Sequence, residues 1–330
     1  FVDNEKICDF RRKELTEVMR RLNEALQLKF LSTVFRLDVF GSSENGFGSN
    51  CSDIDICFRY IRSNDEIINK HELLTIINVE SSLRFAGFTQ VSSIMAAKVP
   101  IVKFTTHVDG CEINGDISYY SELALHNTRL LRRYCTWTKD EVLSQLGVFI
   151  KRWTKTCDIC DAAKGSLCAY AYMILLIHFL QRLQPHPLVP VLQEMGVKKE
   201  IRVSGWDVYF CDDAPKPNWS QCSLSVGDLF LQFLEYYAKF DWSLQVVQIR
   251  QSRMLTKIER GWDAQMCIED PFNLDVNHSS AISKQMFTFI VKCFSTSREV
   301  FLASKDRGIF IGEIAVEEDS DSHEELIMNE

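Results

Sequence analysis

The sequence predicts an α+β protein of two domains, a small one mixing strands with helices and a larger, mainly helical one after it. Three observations lead there. Short runs rich in β-forming residues occupy 35–40, 54–58, 99–104 and 111–118, with a helical segment near 70–85 among them. Beyond residue 120 the apolar spacing turns helical almost throughout. At 330 residues and 46% hydrophobic content the chain is long enough to build two ordinary cores.

Taken in order, residues 4–28 place Leu15, Val18, Leu22 and Leu26 at three-to-four spacing among charges, the stripe of a surface helix packed on a core. After the mixed segment come helical patterns over 121–134, 140–156, 166–184, 225–239 and 280–303, with Pro185, Pro187 and Pro190 ending the third. Residues 212–220, with Pro215 and Pro217, read as a loop, and no internal repeat is present. The longest apolar stretch, Leu167 to Leu180, covers 14 residues and includes His178, whereas a membrane span needs roughly 20. No membrane helix is expected, and Phe1-Val2-Asp3-Asn4-Glu5-Lys6 does not begin a secretory signal. The 12 cysteines are scattered through a long hydrophobic chain rather than crowded into a small secreted one, so they read as reduced thiols of a cytoplasmic protein.

The net charge of -8 argues at first against a nucleic-acid partner. Its location changes that. Glu313, Glu317, Glu318, Asp319, Asp321, Glu324, Glu325 and Glu330 crowd the end of the chain, and without these eight the body holds 37 acids against 37 basic residues. The segment 313–330 reads as an acidic, disordered, solvated tail on a neutral body.

The most informative segment runs from Phe40 to Phe58. A strand ends in Gly41-Ser42-Ser43, where glycine permits a tight turn that brings backbone N–H groups and hydroxyls toward a phosphate. No Gly-Lys-Ser/Thr follows, so this is not a P-loop, and a Gly-Ser turn by itself is more often an ordinary loop. Asp53 and Asp55 then stand two apart; on an extended chain both leave one face, about 6.5 Å apart, while Ile54, Ile56 and Phe58 pack on the other. Paired carboxylates repel unless a cation lies between them, so Asp53-Ile54-Asp55 is a candidate site for Mg²⁺ or Mn²⁺. Taken alone it is better read as a half-exposed strand with a solvated acidic face. In Cys111-Glu112-Ile113-Asn114-Gly115-Asp116-Ile117-Ser118 the polar residues again alternate with isoleucines. If that strand neighbours 53–58, Asp116 joins Asp53 and Asp55, and three carboxylates can hold two metal ions for nucleotidyl transfer.

These residues resemble a known family. Gly-Ser, about ten residues, Asp-x-Asp and a later strand Asp are similar to the polymerase-β-type nucleotidyltransferases, and more closely to the template-independent RNA terminal uridylyltransferases with their poly(A) polymerase relatives. The segments carrying the resemblance are Gly41 to Phe58, Asp116-Ile117-Ser118 running into Leu123 to Leu131, Gly165 to Tyr172, and Ile268-Glu269-Asp270-Pro271-Phe272. They span nearly the whole chain in the family's order, the tail excepted.

The resemblance implies a polymerase-β-like catalytic domain with a mixed sheet, a helical central (poly(A)-polymerase-associated) domain, and a catalytic cleft between them. The implied division is 1–19 as an N-terminal helix packing on the helical domain, 20–127 catalytic, 128–312 helical and 313–330 tail. It implies that Asp53, Asp55 and Asp116 bind metal, with Asp116 helping to deprotonate an RNA 3′-hydroxyl, and that Gly41 and Ser42 hold nucleotide phosphates. Lys151 and Lys155, one helical turn apart, correspond to the lysines that reach the triphosphate; without the resemblance they are a solvated helix face. Asn127 corresponds to the ribose and base contact, and Tyr170 to the aromatic that stacks on uracil, although the run 169–175 also reads as buried core. The implied partners are UTP, with ATP the second choice, and an RNA 3′ end.

Three positions depart from the family pattern. Ala169 replaces a usual Ser, Ser121 a frequent Asn, and Val276 stands where uridylyltransferases place the histidine that reads the uracil edge, with His278 the nearest histidine. Either the loop shifts so that His278 serves, or the base is chosen otherwise. The main expectation is transfer of UMP to RNA 3′ ends. The alternatives are ATP-dependent poly(A) synthesis, a catalytically silent RNA-binding scaffold, and nucleotide transfer to a small molecule or protein. Among weaker signals, Cys157 and Cys160 have the spacing of half a zinc site but position 165 is Gly and no second pair follows, so zinc is not expected. His107 and His186 read as loop residues, and Trp137, Trp153, Trp219, Phe240 and Trp242 as core.

Overall fold

Ile54, Ile56 and Phe58 alternate with Asp55 and Arg59, and the strand they form lies inside a mixed sheet. The computed structural model describes residues 7–30, 35–61, 67–68, 72–96, 99–138, 141–215 and 224–306. The acidic tail, Trp219 and the latter part of the 212–220 loop lie outside them. The chain divides into two compact units, Phe1–Val148 with Met195–Pro215, and Phe149–Glu194 with Lys216–Glu330.

The first unit runs α1 (Asp9–Gln27), β1 (Phe35–Phe40), α2 (Ser42–Asn45), β2 (Ile54–Ile61), β3 (Ile67–Ile68), α3 (Glu72–Phe85), β4 (Thr89–Ile94), β5 (Ile101–Val108), β6 (Cys111–Tyr119) and α4 (Glu122–Cys135), followed by the start of α5 (Val142–Thr156). Its described strands order as β1-β2-β6-β5-β4, with β3 on β2. The β2–β6 pair is parallel, and its neighbours β1–β2, β5–β6 and β4–β5 are antiparallel. One face is apolar. Val18, Leu22 and Leu26 of α1 and Ile76, Val79 and Leu83 of α3 share a core there with Ile54, Ile56, Phe58, Val102, Phe104, Ile113 and Ile117.

The first helix therefore differs from the expected arrangement. Its apolar stripe lies in the core of the sheet, and Arg11, itself paired with Glu14, donates to the Ser52 carbonyl at 3.0 Å just ahead of β2. The expected boundary at 127/128 also moves. α4 stays with the sheet, with Thr128, Leu130, Leu131 and Tyr134 buried. Residues 195–215, with the small hairpin β7 (Arg202–Val203) and β8 (Trp206–Asp207), return to the first unit. There Arg133 of α4 donates to the Ala214 carbonyl at 2.6 Å and Arg129 pairs with Asp212 at 3.3 Å.

The second unit holds the rest of α5 with α6 (Ala169–Leu180), α7 (Val226–Ala238), the hairpin β9 (Gln245–Val246) and β10 (Leu255–Thr256), α8 (Lys257–Arg260) and α9 (Lys284–Asp306). From Ala171 to Leu180, α6 is buried on every side, which explains its run without a polar stripe. Around it Trp153, Phe230, Phe233, Tyr237 and Phe294 interlock at centroid separations of 5.1 to 5.8 Å. His178 is buried in this core, Nδ1 lying 2.8 Å from the Gln248 carbonyl oxygen and Nε2 3.3 Å from the Tyr236 hydroxyl. Among the described residues no helix is long and apolar enough to cross a membrane.

Candidate active site

In the first unit the acidic residues are placed by strand register. Asp55 on β2 is the direct partner of Asp116 on β6 across the parallel pair, and Asp53 sits one residue before β2 begins. Directly opposed residues project from the same face of a sheet, and this face is opposite the one that Ile54, Ile56 and Phe58 bury. Residues far apart along the chain are thus set on one face of two adjacent strands.

The turn after β1 approaches the same place. Gly41 has φ +69° and ψ −150°, a conformation that L side chains rarely adopt. A Cβ there would also collide with Asp55 Oδ2 and stand 3.0 Å from its Cγ, so position 41 needs glycine for both backbone and space. The Gly41 N–H donates to Thr128 Oγ1 at 2.9 Å, which fixes the turn to α4 one residue beyond Asn127. Ser43 Oγ donates to the Asp53 carbonyl at 2.9 Å, and the Arg11 bond to Ser52 holds the other side of that loop. Ser42 opens the short α2.

Asp116 is partly buried and Asp53 exposed. Burial pushes the Asp116 carboxyl above its ordinary range; Lys103 works against that shift and the charge of Asp53 adds to it. Lys103, the β5 register partner of Asp116, brings Nζ to 3.4 Å from Asp116 Oδ2. Among the described residues no three His, Cys, Asp or Glu side chains are gathered closely enough to form a ready coordination set. The donors nevertheless fit a hard divalent cation. They are carboxylate oxygens on or beside adjacent strands, Asp116 senses the Asp53 charge, and the missing side chain of Gly41 leaves room for the Asp55 carboxylate.

In the second unit, Tyr170, the second residue of α6, turns its hydroxyl toward Asp270 Oδ2 at 3.4 Å. His278 Nε2 lies 3.0 Å from the same oxygen, and its ring meets the Tyr170 ring edge-on, 5.0 Å between centroids at 74°. Asp270 Oδ1 accepts the N–H groups of Phe272 and Asn273 at 2.9 and 2.8 Å. Burial alone would raise the Asp270 carboxyl, but the His278 bond and charge with these two amides outweigh it and hold the group below its usual range. The Tyr170 hydroxyl is pushed well upward by burial and by Asp270, so it stays a neutral donor.

Val276, at the ungapped position, gives its carbonyl to the Asp270 N–H at 3.1 Å, whereas His278 meets Asp270 through its ring. Lys151 and Lys155 lie one turn apart on α5, the first half-buried and the second exposed. Asp270 and Lys103 were not singled out from the sequence. Asp270 gains its partners only through the fold back to His278, and Lys103 meets Asp116 only through the register of β5 against β6.

Residues 4–136 match the family described as the central palm domain of mitochondrial-like poly(A) RNA polymerase, and residues 225–276 match the Cid1 family of poly(A) polymerases. Human terminal uridylyltransferase 7 is 41% identical over 281 residues, which covers 81% of this chain and 18% of that protein. Mouse poly(A) RNA polymerase GLD2 is 32% identical over 305 residues, covering 89% of this chain and 60% of the relative. The chain thus spans under a fifth of the uridylyltransferase relative. A crystal structure of the Cid1 poly(U) polymerase with Mg and 3′-dATP bound superposes with TM-score 0.78 at 30% identity, covering 90% of this chain and 91% of that one.

Proposed function

Because the chain belongs to the template-independent RNA nucleotidyltransferases related to the terminal uridylyltransferases and the Cid1 polymerases, we propose that it transfers UMP from UTP to the 3′-hydroxyl of an RNA strand. The observation that carries this reading is the parallel register that sets Asp116 beside Asp55.

Asp53, Asp55 and Asp116 would hold Mg²⁺ or Mn²⁺, which when bound neutralises triphosphate charge and acidifies a hydroxyl. The chain's own groups do the rest. Asp116, whose carboxylate burial makes more basic, takes part in removing the proton of the RNA 3′-hydroxyl. The Gly41 turn lets the backbone and Ser42 come close to phosphate oxygens, and Asn127 contacts the sugar or base. Lys151 and Lys155 offset the negative charge that develops on the leaving pyrophosphate. Tyr170 offers a face for the base, a contact worth about 1–3 kcal/mol whichever base it is. His278, whose Nε2 lies beside Asp270, would read the base edge.

A second reading, poly(A) synthesis from ATP, is favoured by Val276 at the ungapped position and by the poly(A) polymerases among the relatives. One experiment separates the two. The protein is incubated with Mg²⁺, an RNA bearing a free 3′-hydroxyl and each ribonucleoside triphosphate in turn. Extension with UTP is expected; extension with ATP alone moves the assignment to poly(A) synthesis, and no extension with any of the four refutes RNA tailing.

A further inference from the structure

We propose that Lys103 is a positioning residue of the acidic cluster, an internal counter-cation on Asp116 that a divalent ion must displace. The inference rests on the reading of Asp116 as a metal-holding carboxylate.

Strand register makes the pairing a property of the sheet. Lys103 on β5 faces Asp116 on β6, which in turn faces Asp55 on β2, so one cation and two acids cross three adjacent strands in a row. Nζ and Oδ2 are 3.4 Å apart. The two ends differ in freedom: the Lys103 side chain is 49% exposed and that of Asp116 29%, so the ammonium has solvent to move into while the carboxylate stays with its strand. Arg59, the β2 cation on the same face, is engaged by Asp38 and, at 3.6 Å, by Glu122. On the row that contains Asp116, Lys103 supplies the positive charge.

Acids on adjacent strands repel, and a half-exposed ammonium offsets that repulsion without the rigid geometry of a buried pair. A divalent cation seeks the same oxygen. Lys103 and the ion therefore exclude one another at Asp116 Oδ2, and the ion pair lowers the apparent metal affinity while keeping the acids in place.

The test is Mn²⁺ binding to the full chain, followed by electron paramagnetic resonance of the free ion, with no substrate present. Removing the competing charge should tighten Mn²⁺ binding at least about fivefold in Lys103→Met and Lys103→Gln, the scale of one pair of unit charges about 4 Å apart in water. Lys103→Arg, which keeps the charge, should stay within about twofold of the wild type. Asp116→Asn should weaken binding. Thermal melts establish that each variant is folded, and the two neutral replacements guard against one failing to fold. Mn²⁺ affinity unchanged or weakened in both neutral variants, with Asp116→Asn still weakened, overturns the counter-cation role and leaves the metal role of Asp116 standing. Unchanged binding in Asp116→Asn overturns both.

Discussion

Gly41 shows how much of the proposed chemistry rests on one missing side chain. Its backbone lies at positive φ, and a methyl group there would strike the carboxylate of Asp55. Gly41→Ala is expected to lower unfolding stability by roughly 1–3 kcal/mol, measured by urea denaturation, because it combines a strained φ with a steric clash. Extension activity should fall further than stability, since the atom displaced belongs to a proposed metal-holding residue. The Tyr170–Asp270–His278 group offers a separate expectation. Asp270→Asn removes the charge that orients His278, so the ratio of UTP to ATP incorporation should drop by about tenfold, the scale of one polar contact of roughly 1.4 kcal/mol. An unchanged ratio would detach His278 from base choice.

The helices and strands were legible to different depths. α6 announced itself as an apolar run closed by prolines, and the structure trims its expected span of 166–184 to Ala169–Leu180. The strand 54–58 followed from alternation, and its structural span reaches Ile61. β4 escaped notice because Thr89-Gln90-Val91-Ser92-Ser93-Ile94 buries Val91 and little else, with a register shift against β5, so no apolar alternation marks it. The placement of α1 escaped too: an amphipathic stripe says that a helix covers something, and only tertiary packing says what. The three candidate acids were readable as residue types, but their adjacency was conditional until β6 paired with β2. Lys103 was invisible in that sense, because nothing in local sequence ties position 103 to 116. Capping is readable and testable at this scale. Ser225 accepts the Asp228 N–H at 3.1 Å at the start of α7, and Ser225→Ala should cost about 1 kcal/mol, read as a lower melting temperature.

For the molecule as a whole, acid acts through two buried groups with different windows. His178 is held neutral, its folded pKa pushed well below the ordinary 6.5 by burial and then by Arg182. The unfolded chain therefore binds the extra proton first, and stability should fall as pH drops below about 6.5 while staying flat above it on this account. Asp270 is the complementary case: its folded pKa is depressed, so its contribution is present above the ordinary carboxylate value of 3.8 and is lost as pH falls through the lower folded value. Melting curves from pH 8 to 3 should show an upper decline that His178→Gln flattens and a lower one that Asp270→Asn flattens. A decline between pH 6.5 and 5 that persists unchanged in the His178 variant would remove this histidine from the acid response.

The most direct measurement of the central claim, that β2 and β6 bring Asp55 and Asp116 together to transfer a nucleotide, is the single-turnover rate of RNA extension with UTP and Mg²⁺ in wild type and Asp116→Asn. The expected result is a loss of at least about a hundredfold, the scale of losing several kcal/mol of transition-state stabilisation, with the melting temperature close to that of the wild type. A folded Asp116→Asn protein that extends RNA at the wild-type rate would contradict it.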